Sequence, residues 1–292
     1  MSILEGAKVR GTASGGRGSH HAWGMDLELS DKRALVTGST SGIGEAIARE
    51  LAAEGVAVVV HGRNEQHART VADEIGRKGG RAAVALGELA SDEGARRVVE
   101  QTLAAFGGID ILVNNAGAFP EHDWWKTPPR LWSGLYEANV VSMVRMIQAF
   151  VPPMRTRGWG RVIQVSSVVG IRPSAAGPAY PATKAAITNL TVSLAKELAA
   201  TGVTVNAVSP GPIMTPGLEA RFVAPAGKAA PAEDRAAAEK RVLETLRHTD
   251  SIPRFGRPEE VAAAVVFLAS VRSSYIHGTD LHVDGGSAGT LT

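Results

Sequence analysis

From Lys32 onward, short β-branched apolar runs alternate with longer stretches in which apolar residues recur at helical spacing. The runs at 33–37, 56–60, 82–86, 109–113, 161–165, 203–208 and 280–283 read as seven strands. Their near-continuous apolar character is that of strands covered on both faces. Between them, residues 43–54, 65–78, 92–106, 131–155 and 179–200 read as five crossover helices. Strict β, α alternation predicts an α/β fold, a seven-stranded parallel sheet with helices on both faces. No linker or composition break interrupts it, so residues 25–292 are expected to form one doubly wound domain. The irregular stretch around 215–256, rich in Ala and Pro with a charged helical piece at 233–246, reads as a substrate lid beyond a strand's carboxyl end. Residues 1–24 have neither an apolar centre nor helical periodicity and read as a flexible leader or tag ahead of Met25.

Composition narrows the chemistry by exclusion. Among 292 residues there is no cysteine, which removes disulfides, thiolate nucleophiles and cysteine-ligated metal, and fits an intracellular, cytoplasmic protein. The formal charge of +2 comes from Lys8, Arg10 and Arg17 against Glu5 in the leader, so the body is near neutral and nucleic acid is not an expected partner. No apolar stretch approaches the ~20 residues needed to cross a bilayer. The eight histidines show no His-Glu-x-x-His pattern, and no metal is expected.

The first strand runs directly into Thr37-Gly38-Ser39-Thr40-Ser41-Gly42-Ile43-Gly44, and a helix begins at once. Glycines there let the backbone approach a pyrophosphate while amides at the helix N-terminus point at its charge. A glycine-rich turn alone also marks ordinary loops; its place after the first strand and before a helix is what specifies a dinucleotide. Gly38, Thr40, Ser41, Gly42, Ile43 and Gly44 are assigned to that contact. The second strand ends His61-Gly62-Arg63 with no carboxylate. An acidic residue there would hold the ribose hydroxyls of NAD, whereas Arg63 suits the 2′-phosphate of NADP, the preferred cofactor, with NAD as the alternative. After the fourth strand, Asn114-Asn115-Ala116-Gly117 offers small residues and amides for ribose contact and for bracing the sheet.

Tyr180 and Lys184 lie four residues apart, on one face of a helix. A free tyrosine near pKa 10 is a poor base at neutral pH. A lysine ammonium close by, joined by an oxidised nicotinamide, is expected to lower that pKa toward the working range. Tyr180 would then give a proton to a substrate oxygen as hydride reaches its carbon, with Lys184 on the nicotinamide ribose. Ser167, thirteen residues earlier, ends a strand where its hydroxyl can meet the same oxygen; Ser166 is its immediate neighbour. Asn139 is an amide in the fourth crossover helix, where Leu or Ala would be better helix formers.

Together these motifs resemble the short-chain dehydrogenase/reductase family, in its subgroup of about 250 residues. The likeness spans Leu27 to Gly286 and adds Pro210-Gly211 and Val283-Asp284-Gly285-Gly286 to the motifs above. It implies a Rossmann-like fold, a tetrad of Asn139, Ser167, Tyr180 and Lys184, and a water held by Asn139 that relays protons to Lys184; the thirteen-residue interval matches Ser167 rather than Ser166. It implies further cofactor contacts from Pro210, Gly211, Ile213 and Thr215 and from Leu89 beside the adenine. Glu88 departs from the family's usual Asp at the adenine contact, and Ser41 stands where NADP-preferring members are often basic. A homotetramer is implied, with a homodimer as the alternative.

The function these readings predict is NADPH-dependent reduction of a small-molecule ketone, 3-oxoacyl-type or medium to bulky, to a secondary alcohol. Phe119, Trp124, Trp125 and Trp132 suggest an apolar pocket for it. The alternatives are an NAD-dependent alcohol or sugar dehydrogenase running oxidatively and a non-catalytic dinucleotide-binding regulator. A regulator predicts a broken tetrad, an enoyl reductase predicts Lys seven residues after Tyr, and a sugar epimerase predicts a longer substrate domain.

Overall fold

Strands that are apolar on both faces cannot stand in water, and the chain covers them by sending a helix across the sheet after each one. The computed structural model describes residues 26–120, 123–173, 177–220 and 252–289, with residues 237, 240, 241 and 243 besides. The leader at 1–24 and most of the expected lid, including nearly all of its charged piece, lie outside the described residues. In chain order the elements are β1 (Arg33–Val36), α1 (Gly42–Ala53), β2 (Ala57–Gly62), α2 (Glu65–Arg77), β3 (Arg81–Leu86), α3 (Asp92–Phe106) and β4 (Ile111–Asn114). There follow α4 (Pro129–Tyr136), α5 (Ser142–Arg157), β5 (Gly160–Val165), α6 (Ala179–Glu197), β6 (Val203–Pro210), the single turn α7 (Pro216–Leu218), α8 (Pro258–Ala269) and β7 (Asp280–Val283).

All seven strands are parallel, in the order β3-β2-β1-β4-β5-β6-β7. Strand periodicity splits each strand between two cores. Val36, Val58, Val113 and Ile163 face α1, α2 and α8, packing against Ile47, Leu51, Val71 and Val265. Leu35, Val59, Leu112 and Val162 face α3, α5 and α6, packing against Val98, Met146, Phe150 and Ala195. The winding direction reverses between β1 and β4, which lie side by side, and their carboxyl ends open a crevice where doubly wound sheets take ligands.

Two helices differ from the sequence reading. The sixth crossover, α8, was not among the five expected, because Val261, Ala262, Val265, Val266, Leu268 and Ala269 are all buried and no clear polar stripe marks the helix. Its start was nonetheless written locally: Pro258 in the first turn, Glu259 and Glu260 following it, and the Arg257 backbone N–H donating to Glu260 Oε2 at 2.8 Å. The helix expected over 131–155 is helical throughout but not uniformly α: residues Glu137–Val141 form a π-helical turn between α4 and α5, with Asn139 inside it. Such turns widen the backbone spiral and recur at functional sites.

Candidate active site

The turn from β1 to α1 is shaped by what cannot fit in it. Gly38 has a left-handed φ of +64°, and a Cβ there would stand 2.9 Å from Ala116 Cα. A Cβ on Gly44 would stand 2.3 Å from Gly38 O and 2.4 Å from Asn115 Nδ2. The NNAG segment after β4 holds this turn directly. Asn115 Nδ2 donates to Thr37 O (2.9 Å) and Gly38 O (3.1 Å), and Thr37 Oγ1 accepts from the backbone N–H groups of Asn115 (2.9 Å) and Ala116 (3.0 Å). Both amide hydrogens of Asn115 are therefore spent on bracing the turn. At the N-terminus of α1 the Ser41 side chain makes no capping hydrogen bond, so it does not compete for the first-turn amides. A turn opened by glycines and leading into helix amides that Ser41 leaves uncapped fits a diphosphate.

At the carboxyl ends of β2 and β3 the structure joins two residues considered separately in the sequence. Arg63 Nη1 lies 3.0 Å from Glu88 Oε2, with side chains 79% and 50% exposed, so this ion pair contributes little to stability and a stronger anion can displace it. Leu89 is buried beside them in sequence, and Thr40 Cγ2 lies where a Cβ on Gly62 would fall, at 2.3 Å. His61, which the sequence reading passed over, is buried at the end of β2. Its Nδ1 accepts the Gly38 N–H at 2.9 Å, its Nε2 lies 3.1 Å from Gly87 O, and burial pushes the imidazole down to about 4. A polar residue breaking the Val58-Val59-Val60 run was the available signal.

The third part of the crevice gathers Ser167, Tyr180 and Lys184. Tyr180 lies in the first turn of α6, and Lys184, one turn on, places Nζ 5.5 Å from the Tyr180 ring centroid. The Lys184 ammonium donates to Val165 O at 2.8 Å, and burial lowers its pKa to about 8. The protein's own groups move Tyr180 upward. Burial drives its pKa up to about 12, against which a hydrogen bond with Ser167 works, while Lys184 does not offset the lost hydration. The phenol is thus held protonated by the protein's own groups.

The neighbouring serines are told apart by their partners. Ser166 Oγ donates to Lys184 O at 3.0 Å, whereas Ser167 is the one hydrogen-bonded with Tyr180. Asn139 is fully buried, and its Nδ2 donates to Ala118 O and to Thr183 Oγ1, both at 3.0 Å, while Oδ1 accepts from the Ala118 N–H at 2.7 Å. Thr183 Oγ1 in turn donates to Tyr180 O at 2.8 Å. Asn139 therefore ties the loop after β4 to the helix that carries the tyrosine, and among the described hydrogen bonds of its side chain none runs to Lys184.

A cavity of about 330 Å³ contains this chemistry. Its walls include Ser167, Tyr180 and Lys184 together with Ile43, Asn115, Gly117, Pro210, Gly211, Ile213 and Thr215 from the expected cofactor set. Arg63, Glu88 and Leu89 lie apart, at the β2 and β3 end, and Asn139 lies behind the wall. Phe119, Val168, Val169 and Leu218 make the remainder of the wall largely apolar, and the Phe119 ring meets the Tyr180 ring edge-on at 4.6 Å. Of the four aromatics expected there, only Phe119 lines the cavity. Trp124 instead packs against Trp132, with ring centroids 5.5 Å apart, and Trp125 is 93% exposed.

Residues 32–224 match the model of the short chain dehydrogenase family. The chain is 39% identical to the uncharacterized oxidoreductase YvaG of Bacillus subtilis over 264 residues, covering 90% of this chain and 98% of that one. It is 36% identical over 263 residues to the 3-oxoacyl-[acyl-carrier-protein] reductase FabG of Aquifex aeolicus, covering 90% and 99%. Among solved structures, L-sorbose reductase from Gluconobacter frateurii, complexed with NADPH and L-sorbose, superposes with a TM-score of 0.85 at 35% identity, covering 91% of this chain and all of that one. With a parallel seven-stranded sheet, a glycine turn at its switch point and matches of this extent, the chain belongs to the short-chain dehydrogenase/reductase family, oxidoreductases that act on CH–OH and C=O groups.

Proposed function

We propose that this protein reduces a medium or bulky ketone, of 3-oxoacyl or comparable apolar type, to a secondary alcohol with NADPH. The observation that carries the reading is a buried phenol, Tyr180, hydrogen-bonded with Ser167 on the wall of a largely apolar cavity, where burial favours its protonated form. Bound NADPH supplies the hydride. Tyr180 gives its proton to the substrate oxygen, and Ser167 Oγ steadies the developing charge on that atom. Lys184, buried and cationic below about pH 8, would hold the nicotinamide ribose, and its charge steadies the phenolate left after proton transfer. The water relay through Asn139 belongs to the same reading, supported by the π-helical turn at that residue.

NADPH is preferred over NADH in this reading because Arg63 stands where a 2′-phosphate would be met and no carboxylate ends β2. The NADPH of the L-sorbose reductase complex supports it. Replacing Arg63 with Ala is expected to lower the NADPH-over-NADH preference about tenfold, the worth of one charge-assisted contact. Glu88→Gln is expected to raise NADPH affinity about twofold by freeing Arg63 from its surface partner. Ratios of kcat/KM with the two dinucleotides measure both effects, and a preference indifferent to Arg63 would remove the argument.

The substrate is tested by following NADPH absorbance with 3-oxoacyl thioesters, cyclic ketones, steroids and ketoses. Apolar ketones are expected to turn over best; activity confined to ketoses would replace this reading with a sugar reductase. The enzyme is read as a homotetramer, supported by Leu131, Tyr136 and Val192 standing exposed on α4 and α6. Light scattering is expected to give about four times the chain mass of 30.4 kDa, and a mass of one chain would overturn the reading.

A further inference from the structure

The end of β2 holds a group that neither hydride transfer nor proton transfer uses. His61 is 3% exposed and both its ring nitrogens are engaged, one with each of two loops. Because Nδ1 accepts from the Gly38 N–H, the ring is neutral with its proton on Nε2, and Nε2–H is left to donate to Gly87 O. The backbone of His61 grips the same turn a second time. Its N–H donates to Ser39 Oγ at 2.9 Å and its carbonyl accepts from the Ser39 N–H at 2.9 Å, while Ser39 Oγ donates onward to Val36 O at 2.7 Å.

Gly38 opens the turn that suits a diphosphate, and Gly87 leads into Glu88 and Leu89, the segment matched to the adenine. These two walls belong to loops separated by 49 positions in the chain, and one imidazole spans them. A leucine or valine of similar bulk would fill the space but leave the Gly38 N–H and Gly87 carbonyl without those partners. Burial keeps the ring in its accepting form at ordinary pH, with Glu88 and Arg63 acting on it in opposite directions.

We infer that His61 is a positioning residue that sets the distance between the glycine turn and the Gly87–Leu89 segment, preorganising the dinucleotide seat. This rests on the dinucleotide reading above. It predicts a change in cofactor affinity without a change in the chemical step, because His61 lies outside the cavity that holds Tyr180.

The test is direct titration of the full-length protein with NADPH, read by nicotinamide fluorescence, alongside thermal melts and kcat at saturating NADPH. His61→Leu is expected to raise the NADPH Kd about tenfold, the consequence of leaving buried polar groups unpaired. His61→Asn, whose Oδ1 falls near the place of Nδ1 and keeps the Gly38 contact, is expected to recover most of that loss, to within about threefold of the native protein. In both variants kcat is expected to stay within about twofold. Lower melting temperatures with native Kd in both variants would overturn the inference and make His61 a core residue only. Should His61→Leu fail to fold, His61→Ala, which also removes both ring partners, takes its place: a Kd raised about tenfold supports the inference, and a native Kd overturns it. A native protein that binds no NADPH would instead overturn the dinucleotide reading itself, and this inference with it.

Discussion

Tyr180→Phe is expected to lower ketone reduction by about 10²–10⁴-fold, the range that a positioned general acid supplies. The substitution removes one oxygen and keeps the ring, so the edge-on contact with Phe119 at 4.6 Å is retained. The loss should fall on kcat and leave NADPH binding unaltered, since the glycine turn, Asn115 and Arg63 are untouched. Ser167 loses the hydroxyl it hydrogen-bonds, a change of about 1 kcal/mol or less in stability. Steady-state rates together with NADPH fluorescence titration check both halves of the expectation. A Tyr180→Phe enzyme keeping more than about a tenth of native turnover would exclude the phenol as the proton donor.

Reduction and oxidation are expected to respond differently to pH. Reduction uses the phenol, and a hydroxyl pushed up from 10.0 to about 12 by burial stays protonated throughout the neutral and mildly alkaline range. Its rate should therefore be flat with respect to this group. Alcohol oxidation needs the phenolate, whose fraction grows about tenfold per pH unit below the pKa, so kcat/KM for the alcohol should climb steeply from about pH 6 to 8. Above about 8 the buried Lys184 loses its proton, and with it the positive charge that favours a phenolate, so the climb should become shallower. Profiles of both directions on one ketone–alcohol pair give the measurement. A level oxidation profile across that range would mean that the protein holds Tyr180 at a much lower pKa than its burial dictates.

Part of this site could be read from the chain because its parts are local. The turn Thr37–Gly44 lies within one β-to-α junction, and Tyr180 and Lys184 share a helix face simply because one turn separates them. Asn139 is the opposite case. Its amide was a visible oddity in a helical stretch, yet its partners, Ala118 and Thr183, lie 21 and 44 positions away, and no spacing rule connects them. The aromatic cluster misled for a related reason. Four large rings close in sequence suggested one pocket, but successive positions in a loop and helix point in different directions, and only Phe119 turns toward Tyr180.

The linear pattern by itself determined the seven strands, five of the six long crossovers and the junction at which a dinucleotide-type turn forms, because backbone periodicity and glycine stereochemistry act over a few residues. Tertiary structure alone decided that α8 closes the sheet, that Arg63 is met by Glu88, that His61 joins two loops, and that Tyr180 is a stronger holder of its proton than a free phenol. Each of these depends on how much water packing removes, or on which distant groups it brings within hydrogen-bonding reach.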